Sequence, residues 1–144
     1  MADRAEGSIS IQASPKEIMA VISDFDTYPE WIGNLKSVEV LERDSKGRAS
    51  RVAFKVDTRV LSASYTLDYA YRPRNAGVDW TYVEGTLRDL EGSYALERDN
   101  GDGTRVTYSI SVDTGFPIPG IIKRKAEKVV ISTALHELKR RVEG

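Results

Sequence analysis

The sequence predicts an α+β fold in which a seven-stranded antiparallel sheet wraps around a long C-terminal helix, with two short helices after the first strand. Three observations predict this class. Apolar and polar residues alternate with a period near two from residue 35 to 113, which is typical of strands with one buried face. A helix-start signal follows the first short strand. After Gly120, the segment that runs from Pro117 or Pro119 to Val142 has neither proline nor glycine.

The first strand and the first helix are marked by local signals. Residues 8–11 alternate polar and apolar, which predicts a short strand. Ser14 is a suitable N-cap, Pro15 suits the first helical position, and Glu17 can reach back to complete a capping box. The buried stripe of this helix is then Ile18, Met19, Val21 and Ile22.

The stretch DFDTYPEWIG, residues 24–33, ends this helix. Because a residue before proline is pushed out of the α region, the chain should bend before Pro29. A second short helix can begin at Pro29 and end at Gly33-Asn34. The bend gathers the aromatic side chains of Phe25, Tyr28 and Trp31.

Six further strands are predicted from the alternating pattern. The apolar positions lie in residues 38–40, 52–56, 61–71, 78–82, 90–96 and 106–112. Turn residues separate several of them, at 44–47, 73–77 and 100–103. Strands with one apolar and one polar face indicate a sheet that water contacts on one side.

The apolar stripe of the long helix changes direction near residue 130. One face carries Ile118, Ile121, Ile122, Ala126, Val129 and Val130. The other, rotated by nearly half a turn at ~100° per residue, carries Ile131, Ala134, Leu135, Leu138 and Val142. We expect Leu135 and Leu138 to pack near the two short helices. We expect Ile122, Ala126 and Val129 to face four side chains of the sheet, namely Phe54, Tyr65, Trp80 and Tyr108.

Composition excludes several classes of protein. The 144 residues carry a net charge of −1, so the chain has no basic footprint for nucleic acid. The absence of cysteine excludes disulfides, a thiolate nucleophile and a cysteine-based zinc site. The start MADRAEGSIS has no apolar signal region, and no apolar run approaches the ~20 residues that cross a bilayer. We therefore expect a cytoplasmic single domain over residues 1–144, with a flexible tail at 1–6 and no stable membrane insertion.

Two segments resemble a known family. SPKEIMAVISDFDTYPEWIGNLKSVEVLE is similar to the start of the START-like superfamily, also called the polyketide cyclase/dehydrase and lipid-transport group. LEGSYALERDNGDGTRVTYSISVD resembles its late hairpin, with Gly92 in place and Tyr94 where tryptophan is commoner. The resemblance covers residues 7 to 142, and the coenzyme Q-binding and aromatase/cyclase branches look closest. Members often carry an aspartate and then Tyr-Pro-x-Trp after the first helix, matched here by Asp26, Tyr28, Pro29 and Trp31.

The resemblance implies a helix-grip fold with a cavity between the concave sheet and the long helix. We expect no cofactor. Phe25, Tyr28 and Trp31 would then plug one end of that cavity; the alternative is that they cap an ordinary core.

The apolar face of the predicted sheet is rich in tyrosine. A dry core would favour Phe, Leu and Ile, because an unpaired buried hydroxyl costs roughly 1–3 kcal/mol. A wet or ligand-filled cavity tolerates phenols, since water or ligand oxygens can bond to them. The alternative is that some tyrosines lie near strand ends with their hydroxyls in solvent. The tyrosines on this face are Tyr65, Tyr69, Tyr71, Tyr82, Tyr94 and Tyr108.

Groups for catalysis are scarce. His136 is the only histidine, which excludes a multi-histidine metal site. Glu84, Asp89 and Glu91 cluster near a glycine-containing bend, where carboxylates are usually solvated. The run Lys123-Arg124-Lys125 could contact anionic headgroups, or could form a solvated helix face.

Three functions follow as hypotheses. The first is the binding of a small hydrophobic or amphipathic molecule (a lipid, quinone or polyketide-like compound). The second is a polyketide aromatase/cyclase or dehydratase that uses the same cavity, and the third is a protein-interaction module with a filled core. We expect no metal, no catalytic residue and no nucleic-acid partner, whereas a protein partner stays possible. The candidate ligand-binding residues are Trp31, Phe54, Val56, Tyr65, Leu67, Tyr69, Trp80, Tyr94, Tyr108, Ile122, Ala126 and Val129.

Overall fold

The computed structural model describes residues 4–33, 35–57, 62–99, 101 and 103–144. The order of elements is the predicted one. It runs β1 (Arg4–Ile11), α1 (Pro15–Ile22), a 3-10 turn (Phe25–Thr27), α2 (Tyr28–Trp31), β2 (Leu35–Arg43), β3 (Ala49–Asp57), β4 (Ser62–Tyr71), a 3-10 turn (Pro73–Asn75), β5 (Gly77–Gly85), β6 (Asp89–Arg98), β7 (Thr104–Asp113) and α3 (Gly120–Glu143).

The structure differs from the sequence-based prediction at the start of β1. β1 begins at Arg4, whose backbone lies opposite Ser111 of β7, so residues 4–6 form part of the sheet instead of a flexible tail. Four residues assigned to strands or turns from the sequence lie outside the described residues, namely Asn34, Leu61, Asn100 and Asp102.

The seven strands form one antiparallel sheet in the order β1-β7-β6-β5-β4-β3-β2. Strands β2 to β7 pair with their neighbours along the chain, whereas β1 crosses the molecule to pair with β7. Side chains alternate between the two faces of a strand, so each strand contributes one row to the face that we call the inner face. The inner face carries Phe54, Trp80 and Tyr108. This is the predicted α+β helix-grip architecture.

The predicted capping box starts α1. The backbone N–H of Glu17 donates to Ser14 Oγ at 3.2 Å, and the Ser14 N–H donates to Glu17 Oε1 at 3.3 Å. Satisfying two of the free N–H groups at the start of a helix contributes about 1 kcal/mol per cap. Ile18 and Ile22 then point into the core.

Helix α3 is anchored by its C-terminal half. Ile131, Leu135 and Leu138 are buried, and the helix packs on β1 and β7 and, as predicted for this half, against α1 and α2. The helix approaches β1 closely at Gly7, where an added Cβ would lie 2.6 Å from Ile131 Cγ2. Glycine at this position therefore lets the helix lie directly on the strand.

The first half of α3 does not pack as predicted. Ile122 is 55% exposed and Val129 is 61% exposed, and Ala126 is exposed as well, so these side chains do not face the sheet. At about 100° per residue, Ile122 and Val129 lie on nearly the opposite side of the helix from Ile131. The contact of Ile131 with Gly7 fixes the rotation of the helix, and that rotation turns the first apolar stripe outward. The apolar stripe does change direction along the helix. The prediction that its first part faces the sheet is wrong.

Among the described residues, no helix is long and apolar enough to span a bilayer.

Candidate functional site

A continuous cluster of aromatic rings covers the inner face of β3 to β7. Trp80 lies at its centre, with ring centroids 5.9 Å from Tyr69 and 5.6 Å from both Tyr94 and Tyr108. Strand register causes this arrangement, because Tyr69 lies opposite Trp80 and Tyr94 lies opposite Tyr108. The ring cluster consists of Phe25, Tyr28, Trp31, Phe54, Tyr65, Tyr69, Trp80, Tyr94 and Tyr108.

The bend between α1 and α2 closes one end of this cluster. Phe25 is 2% exposed, and its ring centroid lies 4.7 Å from those of both Tyr28 and Tyr69. Tyr28 in turn lies 5.1 Å from Trp31. The three aromatic side chains of the bend are therefore buried against the sheet. Both interpretations of this motif, a plug at one end of a cavity and a cap on an ordinary core, require this burial.

The tyrosine hydroxyls divide into two groups. Those of Tyr28, Tyr71 and Tyr82 donate to backbone carbonyls, at Ile22, at Ala49 (2.8 Å) and at Leu87 (2.7 Å). The alternative to a cavity was that some hydroxyls lie in solvent near strand ends. Those of Tyr71 and Tyr82 are instead hydrogen-bonded to the protein. Within the described residues, no hydrogen bond involves the hydroxyls of the second group, which are Tyr65, Tyr69, Tyr94 and Tyr108.

These four free hydroxyls remain in reach of water. In the described part of the chain, the buried side-chain nitrogen and oxygen atoms that lack a partner are Trp31 Nε1 and Glu127 Oε2, so no phenol oxygen is both sealed and unpartnered. The inner face therefore combines apolar rings with hydroxyl oxygens that a water or ligand atom can contact. That this face holds a ligand stays a prediction.

The phenols of the cluster are neutral at physiological pH. Burial raises the pKa of Tyr65 to about 12. Burial also raises the pKa of Tyr69, Tyr94 and Tyr108, and neighbouring phenols add to the effect at Tyr69 and Tyr108. A neutral phenol can donate one hydrogen bond and accept others, so these groups suit carbonyl and hydroxyl oxygens.

Glu127 is a further candidate residue that the sequence pattern does not single out. Its Oε2 atom is buried without a hydrogen-bond partner among the described residues. By helical period it lies about 40° from Ile131, on the side of α3 that faces the protein. The signal in the sequence was its position four residues before Ile131, which becomes informative only when the rotation of α3 is known.

Two clefts lie beside the short helices α1 and α2. The larger, of about 500 Å³, lies between α2 and the last turns of α3, and its walls include Trp31, Ile32, Glu137 and Arg141. The smaller, of about 160 Å³, lies between α1 and the end of β4 and includes Met19 and Tyr71. The four free phenols line neither cleft. The larger cleft reaches the cluster at Trp31.

The structure brings together most of the predicted site residues. Those from the sheet and from α2 lie on or beside the ring cluster, with Leu67 buried and Val56 half-buried. The three from α3 are exposed, as described above.

The polar candidates are solvated: His136 contacts Ser132 at the surface, and Glu84, Asp89 and Glu91 are exposed. No group of three or more potential metal-ligating side chains occurs in the described ranges.

The chain's sequence matches one family over residues 11–139, described as polyketide cyclase / dehydrase and lipid transport. The chain has no significant match among curated proteins.

Several solved structures share the fold. A START superfamily protein from Mycobacterium smegmatis is 23% identical, with 97% of each chain covered and a TM-score of 0.87. The Zhui aromatase/cyclase from Streptomyces sp. R1128 is 16% identical, with 99% of this chain and 94% of that chain covered and a TM-score of 0.79. A STAR-related lipid transfer protein from Xanthomonas axonopodis is 18% identical, with coverage of 98% and 86% and a TM-score of 0.73. At these identities the likeness establishes the fold.

Proposed function

Because the chain belongs to the polyketide cyclase/dehydrase and lipid-transport family, we propose that it binds a small hydrophobic or amphipathic molecule against the ring cluster, between the sheet and α3. One observation carries the proposal: four phenol oxygens on an otherwise apolar face have no partner in the described protein and remain in reach of water. A binding site for an apolar molecule that carries a few oxygens needs this combination.

The chemistry of the inner face limits the classes of ligand that it can bind. Its rings offer apolar area and stacking surfaces, and its phenols are neutral, because the ordinary pKa of a phenol lies above physiological pH and burial raises the pKa of Tyr65, Tyr69 and Tyr108 further. Neutral hydroxyls favour a ligand with carbonyl, hydroxyl or ether oxygens, such as a quinone, a polyketide-like compound or a lipid. The proposed binding residues are those of the sheet and of α2, namely Trp31, Phe54, Val56, Tyr65, Leu67, Tyr69, Trp80, Tyr94 and Tyr108.

Mass spectrometry of the purified protein tests this proposal. The protein is extracted with organic solvent, and a protein of similar size purified in parallel from the same cells serves as the control. A reproducible, stoichiometric hydrophobe is expected in the first extract only. If no compound is enriched and neither a quinone nor a fatty acid changes the fluorescence of Trp80, the ring cluster is a filled core. The interaction module would then be the better hypothesis.

Glu127 favours a second candidate function, the cyclisation or dehydration of a polyketide chain in the same place. Its Oε2 atom is buried without a hydrogen-bond partner among the described residues, and a carboxylate that no cation or donor occupies can act as a general base. Glu127→Gln keeps the shape of the side chain but removes its capacity to accept a proton. If the protein is an enzyme, this change should abolish turnover of a poly-β-ketone substrate and leave its binding intact. Glu137→Gln, on the same helix and paired with Arg140, is the matched control.

A further inference from the structure

The first half of α3 and the residues before it form an exposed surface that the proposed binding function does not use. Ile121 is 73% exposed, Ile122 55% and Val129 61%, which is unusual for side chains that a soluble domain normally buries. Cations interleave with them. We call this surface the basic–apolar face; it consists of Phe116, Ile121, Ile122, Lys123, Arg124, Lys125, Lys128, Val129 and Val130.

The cations of this face have no carboxylate partners. Within the described residues, no ion pair involves Lys123, Arg124, Lys125 or Lys128. The last turns of the same helix differ, because there Lys139 pairs with Glu143, Arg140 with Glu137 and Arg141 with Glu30. Residues 120–130 have a net charge of +3, whereas the whole chain has −1. Positive charge is therefore concentrated and unneutralised beside the exposed apolar residues.

We propose that the basic–apolar face docks the protein onto an anionic lipid bilayer, with the first half of α3 lying in the plane of the interface. At about 100° per residue, Ile122 and Val129 point in nearly the same direction, away from the sheet. Lys125 lies within about 60° of both, and Lys123 and Lys128 lie about 100–120° to either side. Their long stems let the charges reach headgroups while the apolar side chains enter the acyl boundary. An anionic surface complements the charge and the acyl boundary complements the isoleucines.

A second copy of this chain fits the face less well. Two basic–apolar faces brought together would place the unpaired lysines and arginines of both copies in one interface, and like charges at close range oppose association. A bilayer presents the opposite charge. The docking surface is also separate from the ring cluster, so its test is independent of the ligand.

Vesicle co-sedimentation of the intact protein tests the proposal. Vesicles of phosphatidylcholine alone are compared with vesicles of phosphatidylcholine mixed with phosphatidylglycerol. Binding is expected to the mixed vesicles, and it should weaken as salt is added because salt screens exposed charges. Equal binding to both kinds of vesicle, or no binding to either, would overturn the proposal.

Charge variants locate the surface. Lys125→Glu with Lys128→Glu should lower the partition coefficient at least about 25-fold, since each cation near an anionic surface contributes about 5-fold. Lys46→Glu with Lys55→Glu makes the same change in net charge at exposed positions elsewhere and should have a much smaller effect. Equal losses in the two pairs would show that only net charge matters, which contradicts a docking face on α3.

Apolar variants test the insertion of the helix. Ile122→Ser with Val129→Ser should weaken binding, whereas Leu41→Ser with Val83→Ser, which are exposed on the sheet, should not. Serine has a helix propensity close to those of isoleucine and valine, so the fold should be kept, and circular dichroism checks this. If sedimentation velocity shows a dimer that Ile122→Ser with Val129→Ser dissociates, the face binds a second copy and the proposal is wrong.

Discussion

Tyrosine-to-phenylalanine substitutions separate a ligand site from a filled core. In Tyr71→Phe the carbonyl of Ala49, a residue that is 1% exposed, loses the hydroxyl that donates to it at 2.8 Å. Stranding a buried acceptor costs about 1–3 kcal/mol of the free energy of unfolding. Tyr69→Phe and Tyr108→Phe remove hydroxyls that have no partner among the described residues, so the free energy of unfolding should stay within about 0.5 kcal/mol of wild type.

The same substitutions should have the reverse order of effects on binding. Loss of one hydrogen bond to a ligand oxygen costs about 0.5–1.5 kcal/mol, which corresponds to a fall in affinity of about 2- to 13-fold. We expect this fall for Tyr69→Phe or Tyr108→Phe and none for Tyr71→Phe, which lies at the end of its strand.

Urea denaturation and fluorescence titration measure the two quantities. Unfolding midpoints give stability if the m-value is unchanged, and titration with a quinone or a fatty acid gives affinity. The reasoning would be refuted if Tyr69→Phe and Tyr108→Phe lost as much stability as Tyr71→Phe while the affinity for every ligand stayed constant. The hydroxyls would then be part of the core.

Three further predictions concern the same face. Gly92→Ala should destabilise the protein by about 1–3 kcal/mol in urea melts, because an added Cβ would clash with the backbone carbonyl oxygen of Ser109 and would lie 2.7 Å from Trp80 Cζ2. A loss below about 0.5 kcal/mol would mean that both the backbone of β7 and the indole move freely. The folded-state pKa of Tyr65 is about 12 and its ordinary value is 10.0, so its contribution to stability is complete below pH 10 and is lost as the pH rises towards 12. Urea midpoints should therefore fall over that range, and less steeply in Tyr65→Phe; identical slopes would contradict the assignment. Trp31→Phe removes an Nε1 atom without a partner and should weaken the binding of an oxygen-bearing ligand more than it lowers stability, whereas the opposite ranking would place Trp31 in the core.

Local signals in the sequence predicted most of the elements. The capping box at Ser14 and Glu17 formed as expected, and the alternation of apolar residues identified each strand. The start of β1 was missed because its pairing with β7 is a contact between distant parts of the chain. The rotation of α3 was missed for the same reason, since it depends on Gly7 admitting Ile131 to the surface of β1.

The sequence predicted which tyrosines share the apolar face of the candidate site, but not which hydrogen bonds their hydroxyls make. Alternation placed the tyrosines on one face correctly, because side-chain direction has a period of two. Which hydroxyls find a protein partner depends on the carbonyls that approach them, and those of Ala49 and Leu87 come from other segments. Sequence alone therefore could not divide Tyr71 and Tyr82 from Tyr65 and Tyr69.

The pairing of β1 with β7, and of α3 with β1, also bears on how fast the chain can fold. β2 to β7 can form by successive hairpins, whereas the pairing of β1 with β7 and the packing of α3 on Gly7 join segments from opposite ends of the chain. Lys139 Nζ donates to the carbonyl of Ser10 at 2.8 Å, which also ties these two distant segments together. Contacts of such long sequence separation slow folding. We therefore expect the chain to be most prone to aggregate before these contacts form, while its apolar surface is still exposed.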